Sequence, residues 1–246
     1  MKFWIIMPTY NRYNLLKRSI CSVLSQTYNN FELVIIDDST DNTTYENIGK
    51  DFNDIRIKYI KNIKNSWVNF SRNMGIESLS KDIDYIVFLD DDDYFNTNCL
   101  QRAKEVIQKN LDFNWFLSNK KGITQVEKYN TDYNYFYDYF TWKKIKWDAT
   151  HFIKRDIIWK IRFSNIIKQW QEWLFFIELW EKNNFFTYNF DSTISEYLPW
   201  WLSDQKWRKI LINQCTAICE FFVFRKNSFQ YKRSFLYFIL QKIIIH

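Results

Sequence analysis

The sequence predicts an α/β domain built on a mostly parallel β-sheet with helices packed on its faces. Short apolar runs alternate with helical patterns over roughly the first 110 residues, as in strand–helix–strand folds with right-handed crossovers. Several runs are continuously apolar, as expected of strands that are buried on both faces. Glycine and proline are scarce, at 3 and 2 of 246 residues, so Asn, Asp and Ser supply most turns.

Each predicted element is set off from the next by a short polar break. The helix that begins near Leu15 places apolar residues at helical spacing and ends near Gln26, and Asp, Ser and Thr within 37–43 can cap the next helix. The remaining predicted elements are strands at 3–7, 31–36, 55–60, 85–89 and 148–155 and helices at 65–79, at 97–109 and from about 171 onward.

Four consecutive carboxylates, Asp90–Asp93, directly follow the apolar run 85–89. A buried parallel strand would deliver them to the carboxyl edge of the sheet, where open α/β sheets bind ligands. Like charges repel one another, and hard oxygen ligands suit Mg²⁺ or Mn²⁺. The sequence therefore predicts a metal site here, and the alternative is a solvated acidic turn.

The formal charge of +6 is concentrated toward the C terminus, where residues 206–246 carry eight Lys or Arg and one acid. Two basic amphipathic segments are predicted, at about 204–224 and 234–245. They suit an anionic membrane surface or nucleic acid, and packing on the domain or on a second copy is the alternative. No apolar run is long enough to span a bilayer, the start is a first strand rather than a signal peptide, and the four cysteines are scattered. A cytoplasmic protein is expected.

Four motifs make a specific resemblance. They are Met7–Arg12, Ser25–Tyr28, Phe31–Ser39 and Leu89–Asp93, in the order and spacing of family-2 glycosyltransferases. The sequence resembles that family closely from Met1 to about Leu111, and a further motif near 169–179 extends the likeness to about Glu181.

The resemblance implies a GT-A fold, which is Rossmann-like with a mostly parallel central sheet flanked by helices. Residues 1–203 would form the glycosyltransferase domain, with a nucleotide-sugar-binding half at 1–111 and an acceptor-binding half at 112–203. Residues 204–246 would be a basic, aromatic C-terminal helical extension. It also implies a UDP-sugar donor, a Mn²⁺ or Mg²⁺ cofactor and inversion at the anomeric carbon.

Donor-binding residues are carried over from the matching motifs. Tyr10 would stack on the nucleobase, whose edge would bond to the backbone at Pro8 and Thr9. Asp38 would accept from the imide N–H of uracil, and Arg72 would face the diphosphate. The alternatives are a carboxylate at a helix start for Asp38 and a solvated helix residue for Arg72. Many relatives have Asp-Asp-Gly-Ser where this chain lacks the glycine.

The acidic run aligns with the Asp-x-Asp pattern of the family at Asp90 and Asp92. Asp92 is the expected direct metal ligand, and Asp90 or Asp91 would reach the ribose or a metal-bound water. Four identical residues leave that register open. Relatives have an Asp as catalytic base at the position of Glu172, which keeps the carboxylate on a side chain one methylene longer.

The acceptor site is expected in the second half. Aromatic residues crowd 129–142, where a sugar-binding wall and ordinary core packing are both open. His151 and Trp173 are candidates for acceptor contact, and a hydrogen-bonded structural role is the alternative for His151.

The expected function is transfer of a hexose or N-acetylhexosamine to a saccharide or lipid-linked saccharide during cell-surface glycan assembly. The expected location is the cytoplasm, peripheral on the inner face of the membrane, without nucleic acid. One alternative is a sugar nucleotidyltransferase, but the segment Pro8–Arg12 lacks the Gly-rich phosphate loop of such enzymes. The other is a non-catalytic adaptor that binds membrane or nucleic acid through the tail.

Overall fold

A computed structural model describes residues 1–121, 149–158, 160–165, 172–183 and 185–195. An eight-stranded sheet runs through this part of the chain in the order β3-β2-β1-β4-β7-β6-β8-β5. The strands are β1 Phe3–Thr9, β2 Phe31–Asp37, β3 Ile57–Lys61, β4 Tyr85–Phe88, β5 Asp93–Phe95, β6 Trp115–Lys121, β7 Thr150–Lys154 and β8 Phe186–Ser195. The helices are α1 Tyr13–Leu24, α2 Thr43–Asp51, α3 Val68–Glu77, α4 Cys99–Lys109 and α5 Trp173–Lys182.

The first four strands of the sheet are parallel, as the sequence predicts. β1 pairs with β2 from Phe3↔Phe31 to Thr9↔Asp37, and its other edge pairs with β4 from Phe3↔Tyr85. Because parallel strands end at the same edge, the segments after β1, β2 and β4 meet there. Tyr10, Asp38 and the acidic run lie in those three segments, Pro8 and Thr9 end β1, and Arg72 lies on α3.

β1 separates two apolar layers. Trp4 and Ile6 face a core that includes residues of α3 and α5, whereas Phe3, Ile5 and Met7 face a core that includes residues of α1 and α4. Every residue of β1 is buried, which explains why its sequence is continuously apolar. Helices therefore cover both faces of the sheet, as predicted.

The second half of the sheet mixes strand directions. β7 is antiparallel to β4 and to β6, β8 is parallel to β6, and β5 is antiparallel to β8. The predicted returning strand at 148–155 is confirmed as β7, although residue 148 lies outside the described residues. The strands β5, β6 and β8 are additions to the predicted set.

Three predicted boundaries are wrong at their first residues, and one of them is the helix predicted from Thr97, which begins at Cys99. Ile55 lies in an exposed turn, and β3 begins only at Ile57. The helix predicted from Asn65 begins at Val68, because 62–67 form a loop held by Asp38. Among the helices that the structure describes, none has the length and apolar character needed to cross a bilayer. The predicted extension at 204–246 lies outside the described residues.

Candidate active site

The acidic run forms a tight turn between β4 and β5. The Asp93 amide donates to the Asp90 carbonyl at 3.1 Å, which closes the turn. Helix α1 holds the turn from one side: the Ser19 hydroxyl donates to the Asp91 carbonyl at 2.9 Å and to that of Asp93, and Arg18 donates to the Asp92 carbonyl at 2.7 Å. The backbone of the turn is thus held in one orientation, which determines where each carboxylate lies.

Asp91 lies on the buried side of this turn. Its Oδ2 accepts from the hydroxyl of Thr9, the last residue of β1, at 2.7 Å, and Arg12 Nη2 lies 2.7 Å from its Oδ1. Burial raises the pKa of Asp91 to about 7, because the charged form loses its hydration and the Arg12 charge and the Thr9 hydrogen bond offset only part of that cost. A role for Asp91 in ribose contact stays a prediction.

The other three carboxylates form a group. Asp90, Asp92 and Asp93 each offer an oxygen, and these oxygens lie within 4.8 Å of one another. Asp90 and Asp92, the residues expected at the metal, therefore lie on the same side of the turn, and Asp93 joins them. Three hard oxygen donors fit Mg²⁺ or Mn²⁺.

Each carboxylate of the turn also has a basic partner in the protein. Arg12 Nη1 lies 3.0 Å from Asp92, Arg72 Nη2 lies 2.8 Å from Asp90, and the buried Lys120 ammonium pairs with Asp93. The sequence suggested four carboxylates without basic partners, whereas the fold gives each of them one. The alternative of a solvated turn is wrong for Asp91 and Asp93, which are buried.

The pKa values of Asp90 and Asp92 are shifted in opposite directions. Burial alone would raise the pKa of Asp90, but Arg72, Lys120 and Arg12 outweigh it and the pKa falls below its usual range. Burial and the neighbouring Asp90 charge raise the pKa of Asp92 despite Arg12. Asp90 is therefore the more firmly ionised of the two.

Glu172, the predicted base, lies immediately before α5, and its carbonyl accepts from the amides of Phe175 and Phe176 in the first turn of that helix. Its carboxylate is about one-third exposed, and Oε1 accepts from Arg72 Nη1 at 2.7 Å. The same guanidinium donates through Nη2 to Asp90. Arg72 therefore contacts both Glu172 and the acidic turn.

Asp38 is the most heavily hydrogen-bonded of the predicted donor residues. Its carboxylate is buried and accepts from the amides of Ser66 and Trp67 at 2.7–3.0 Å and from the side-chain amide of Asn62 at 2.8 Å. It holds the loop that leads into α3, with Trp67 at a φ of 73°. The predicted contact of Asp38 with the imide N–H of uracil stays a prediction.

The β1–α1 loop presents an accessible aromatic ring. Tyr10 is 42% exposed, so its ring is open to stacking. Asn11 has a φ of 52°, in the left-handed region, and its amide donates to the Ser39 hydroxyl at 2.9 Å, which joins this loop to the segment after β2. Pro8 and Thr9 are buried at the end of β1, next to β2. Their predicted contacts with a nucleobase stay predictions.

His151, a predicted acceptor residue, lies in the core. Its Nδ1 accepts from the Trp115 indole N–H at 3.1 Å, and its ring stacks on Phe176 with centroids 3.7 Å apart. Burial lowers the pKa of His151 to about 3, so the imidazole is neutral at physiological pH. This geometry is that of the structural alternative. The side chain of Trp173 and the aromatic stretch 129–142 lie outside the described residues.

Sequence reasoning missed three residues that shape the site. Arg12 and Lys120 carry positive charges that pair with carboxylates of the acidic turn. Gln26, just after α1, hydrogen-bonds to the segment that leads from β5 into α4. The Gln26 amide donates to the Asn96 carbonyl at 2.8 Å, and its oxygen accepts from the Leu100 amide at 3.0 Å in the first turn of α4. Gln26 lies in the quoted motif Ser25–Tyr28, but the motif alone did not indicate that its side chain links α1 to α4. Lys120 lies in a polar stretch that resembles a loop.

The chain is similar in sequence to known proteins. The model of "Glycosyl transferase family 2" matches residues 4–162. Escherichia coli WfgD, a UDP-Glc:alpha-D-GlcNAc-diphosphoundecaprenol beta-1,3-glucosyltransferase, is 39% identical over 107 residues, 43% of this chain and 41% of its own. Bacillus subtilis GgaA, a minor teichoic acid biosynthesis protein, is 31% identical over 195 residues, 72% of this chain and 43% of its own.

The fold has a close counterpart among solved structures. S. aureus TarS 1–349 in complex with UDP-GlcNAc superposes with a TM-score of 0.69 at 19% identity, over 90% of this chain and 67% of that one. At that identity the likeness concerns the fold. The chain spans less than half the length of WfgD and GgaA.

The mixed sheet, the helices on both of its faces and the acidic turn at the carboxyl edge define a GT-A-like domain. The family match extends over more than half of the sequence. The chain belongs to glycosyl transferase family 2.

Proposed function

We propose that this chain is an inverting glycosyltransferase that moves a hexose or N-acetylhexosamine from a UDP-sugar to a hydroxyl of a saccharide acceptor. The observation that carries the proposal is the contact of one guanidinium with both Asp90 and Glu172. This proximity supports a single displacement, in which a base and the leaving diphosphate act on opposite faces of one anomeric carbon.

The UDP-sugar donor is supported by the segments after β1, β2 and β4. The exposed Tyr10 ring, the Asp38 carboxylate and the group of Asp90, Asp92 and Asp93 all follow these neighbouring parallel strands. TarS was solved with UDP-GlcNAc, and WfgD is named for UDP-Glc. These two names suggest a GlcNAc or glucose donor for the first assays.

Asp90, Asp92 and Asp93 would hold the divalent ion, Mn²⁺ or Mg²⁺. When bound, the ion neutralises charge that develops on the leaving diphosphate. The protein's own cations assist, since Arg12 and Lys120 already lie against two of these carboxylates. Arg12 is about half-exposed, so Nη1 could leave Asp92 for a phosphate while Nη2 keeps its pair with Asp91.

Glu172 would accept the proton of the acceptor hydroxyl. As the acceptor oxygen bonds to the anomeric carbon, the bond from that carbon to the diphosphate oxygen breaks and UDP leaves. The proton passes to Glu172, and the anomeric configuration inverts in one displacement. The carboxylate is partly exposed, so an acceptor can reach it from solvent.

The names of the relatives support the proposed acceptor class, and the charge of the tail supports the proposed location. WfgD, GgaA and the putative colanic acid enzyme WcaA of Escherichia coli have names that refer to a diphosphoundecaprenol acceptor, teichoic acid and colanic acid. We extend this to a saccharide or lipid-linked saccharide of a cell-surface glycan. The basic segment 204–246 would hold the enzyme at the inner face of the membrane.

A screen of UDP-sugars for slow hydrolysis tests the proposal without knowledge of the acceptor. We expect release of UDP from at least one UDP-sugar with Mn²⁺ or Mg²⁺, and none in excess EDTA. Asp92→Ala should abolish turnover and weaken UDP binding. Asp82→Ala, an exposed acid just before β4 at the opposite end of that strand, is the matched control. Undiminished turnover in EDTA would refute the metal, and inertness toward every UDP-sugar would refute the donor.

A further inference from the structure

Arg72 is the buried side chain through which the two parts of the site meet. It lies on α3, only 6% of its surface is exposed, and its guanidinium sits over the Phe163 ring at 5.5 Å. Burial alone would lower its pKa, but the charges of Asp90 and Glu172 outweigh this and the guanidinium stays charged. A buried charge of this kind is stable only while its partners remain in place.

The two contacts use the two terminal nitrogens of one planar group. Nη1 donates to Glu172 Oε1 at 2.7 Å, and Nη2 donates to Asp90 Oδ1 at 2.8 Å. A guanidinium is rigid, so these bonds fix the distance and angle between the carboxylates. Glu172 has one more methylene than aspartate and therefore more side-chain rotamers. Its hydrogen bond from Arg72 Nη1 restricts those rotamers.

Arg72 also interacts with the rest of the fold in a way that limits its movement. α3 packs closely on β1, where the Gly75 carbonyl accepts from the Trp4 indole at 3.1 Å. The next residue, Asn73, donates to the Phe163 carbonyl at 3.0 Å and accepts from the Phe163 amide at 2.9 Å. The guanidinium therefore extends from a helix that is anchored both to β1 and to Phe163.

We infer that Arg72 is a positioning residue for the base: it holds the Glu172 carboxylate at a fixed place relative to the acidic turn. The inference rests on the proposed role of Glu172 as base. It departs from the sequence expectation, in which Arg72 faces the diphosphate. A direct diphosphate contact and a positioning role differ in what loss of Arg72 does to UDP binding and to turnover.

Three variants and a double variant separate these possibilities. Arg72→Gln removes the charge, Arg72→Lys keeps the charge but can reach only one carboxylate well, and Glu172→Gln removes the base. If Arg72 acts through Glu172, Arg72→Gln should lower kcat for UDP-sugar hydrolysis roughly 10- to 100-fold with KM and the UDP Kd within about threefold of wild type. Arg72→Lys should recover part of the loss.

The double variant gives the decisive measurement. Arg72→Gln combined with Glu172→Gln should be no slower than Glu172→Gln alone, because groups that act as a unit are not additive. Multiplicative losses, or a tenfold weaker UDP Kd in Arg72→Gln, would overturn the inference. Normal turnover of Glu172→Gln would instead refute the proposed base, so the two failures are distinguishable.

Arg56, the residue just before β3, provides a control. Arg56 pairs with Asp54 through Nε and Nη2 at 2.9 and 2.6 Å and sits over the Phe31 ring at 4.5 Å, so it too is an arginine with a carboxylate partner beside an aromatic ring, but it is more exposed than Arg72 and bridges no second carboxylate. Arg56→Lys should leave kcat unchanged. If Arg72→Gln fails to fold, the same cycle is measured with Arg72→Lys, whose buried charge is retained, and the same non-additivity is required.

Discussion

Gly75 lies where α3 packs against Ile6 of β1, and replacing it tests the packing beneath the site. A Cβ built at Gly75 would lie 2.4 Å from Ile6 Cγ2, and Ile6 Cγ1 and Cδ1 are within 3.2 Å. Ile6 is fully buried, and its Cγ2 is attached to a branched carbon on a strand, so it has little room to turn away. The backbone of α3 or β1 must therefore shift.

The expected cost follows from two opposing terms. Overpacking of a tight core costs about 1–3 kcal/mol, whereas Gly→Ala within a helix gains up to about 1 kcal/mol. At 2.4 Å the overlap is severe, so we expect Gly75→Ala to lose about 1–2 kcal/mol net, a Tm decrease of roughly 2–8 °C. Gly49→Ala is the control, because a Cβ there meets nothing within 4 Å, and it should gain about 0.5–1 kcal/mol.

Urea unfolding followed by intrinsic tryptophan fluorescence measures both variants. A double-mutant cycle combines Gly75→Ala with Ile6→Ala, which removes all three crowding atoms. In that background Gly75→Ala should be neutral or stabilising. If Gly75→Ala raised stability as Gly49→Ala does, or had the same effect in both Ile6 backgrounds, the close contact between α3 and β1 would be refuted.

Three further predictions concern the base, the buried histidine and the tail. Glu172→Gln should lower transfer roughly 10²–10⁴-fold while UDP-sugar binding persists, and near-normal turnover would move the base to Asp148 or Glu178. Because the pKa of His151 falls to about 3 in the fold and is near 6.5 when unfolded, the unfolded chain binds the extra proton and stability should rise from pH 3 to 6.5. Urea unfolding should show a smaller gain over that range for His151→Gln, and an equal gain would contradict the assignment. Full-length protein should float with anionic liposomes, less so in high salt, and truncation after Asp204 should abolish flotation but not UDP binding; indifference to anionic lipid would favour tail packing.

The first half of the fold was predictable because its strands are buried on both faces. Runs such as 31–36 are apolar apart from Glu32, unlike loops. The helices between these runs have apolar residues at clear helical spacing. The same logic failed for β6. Its residues Ser118, Asn119 and Lys120 are buried but polar, and each finds a partner on β8 or in the acidic turn. Such partners are distant in sequence.

β8 was missed although a signal was present. Phe186, Tyr188 and Phe190 alternate with polar residues, which is the period of a strand. β5 has only three residues, too few for any periodicity. The positions of the acidic residues could not be predicted either, because four identical side chains carry no register. Thr9 and Ser19 fix that register through hydrogen bonds across more than 70 positions of sequence.

The order of the strands has a consequence for the shape of the sheet. β4 and β5 are four strand spacings apart, which would be about 19 Å in a flat sheet, yet only residues 89–92 connect them, and they turn. β7, β6 and β8 must therefore curl so that β5 returns to the end of β4, much as a sheet begins to close into a barrel. The acidic turn ties the two ends of that curl together. Any change in the curvature of the outer strands would move Asp93 directly, because it begins β5 and also pairs with Lys120 of β6.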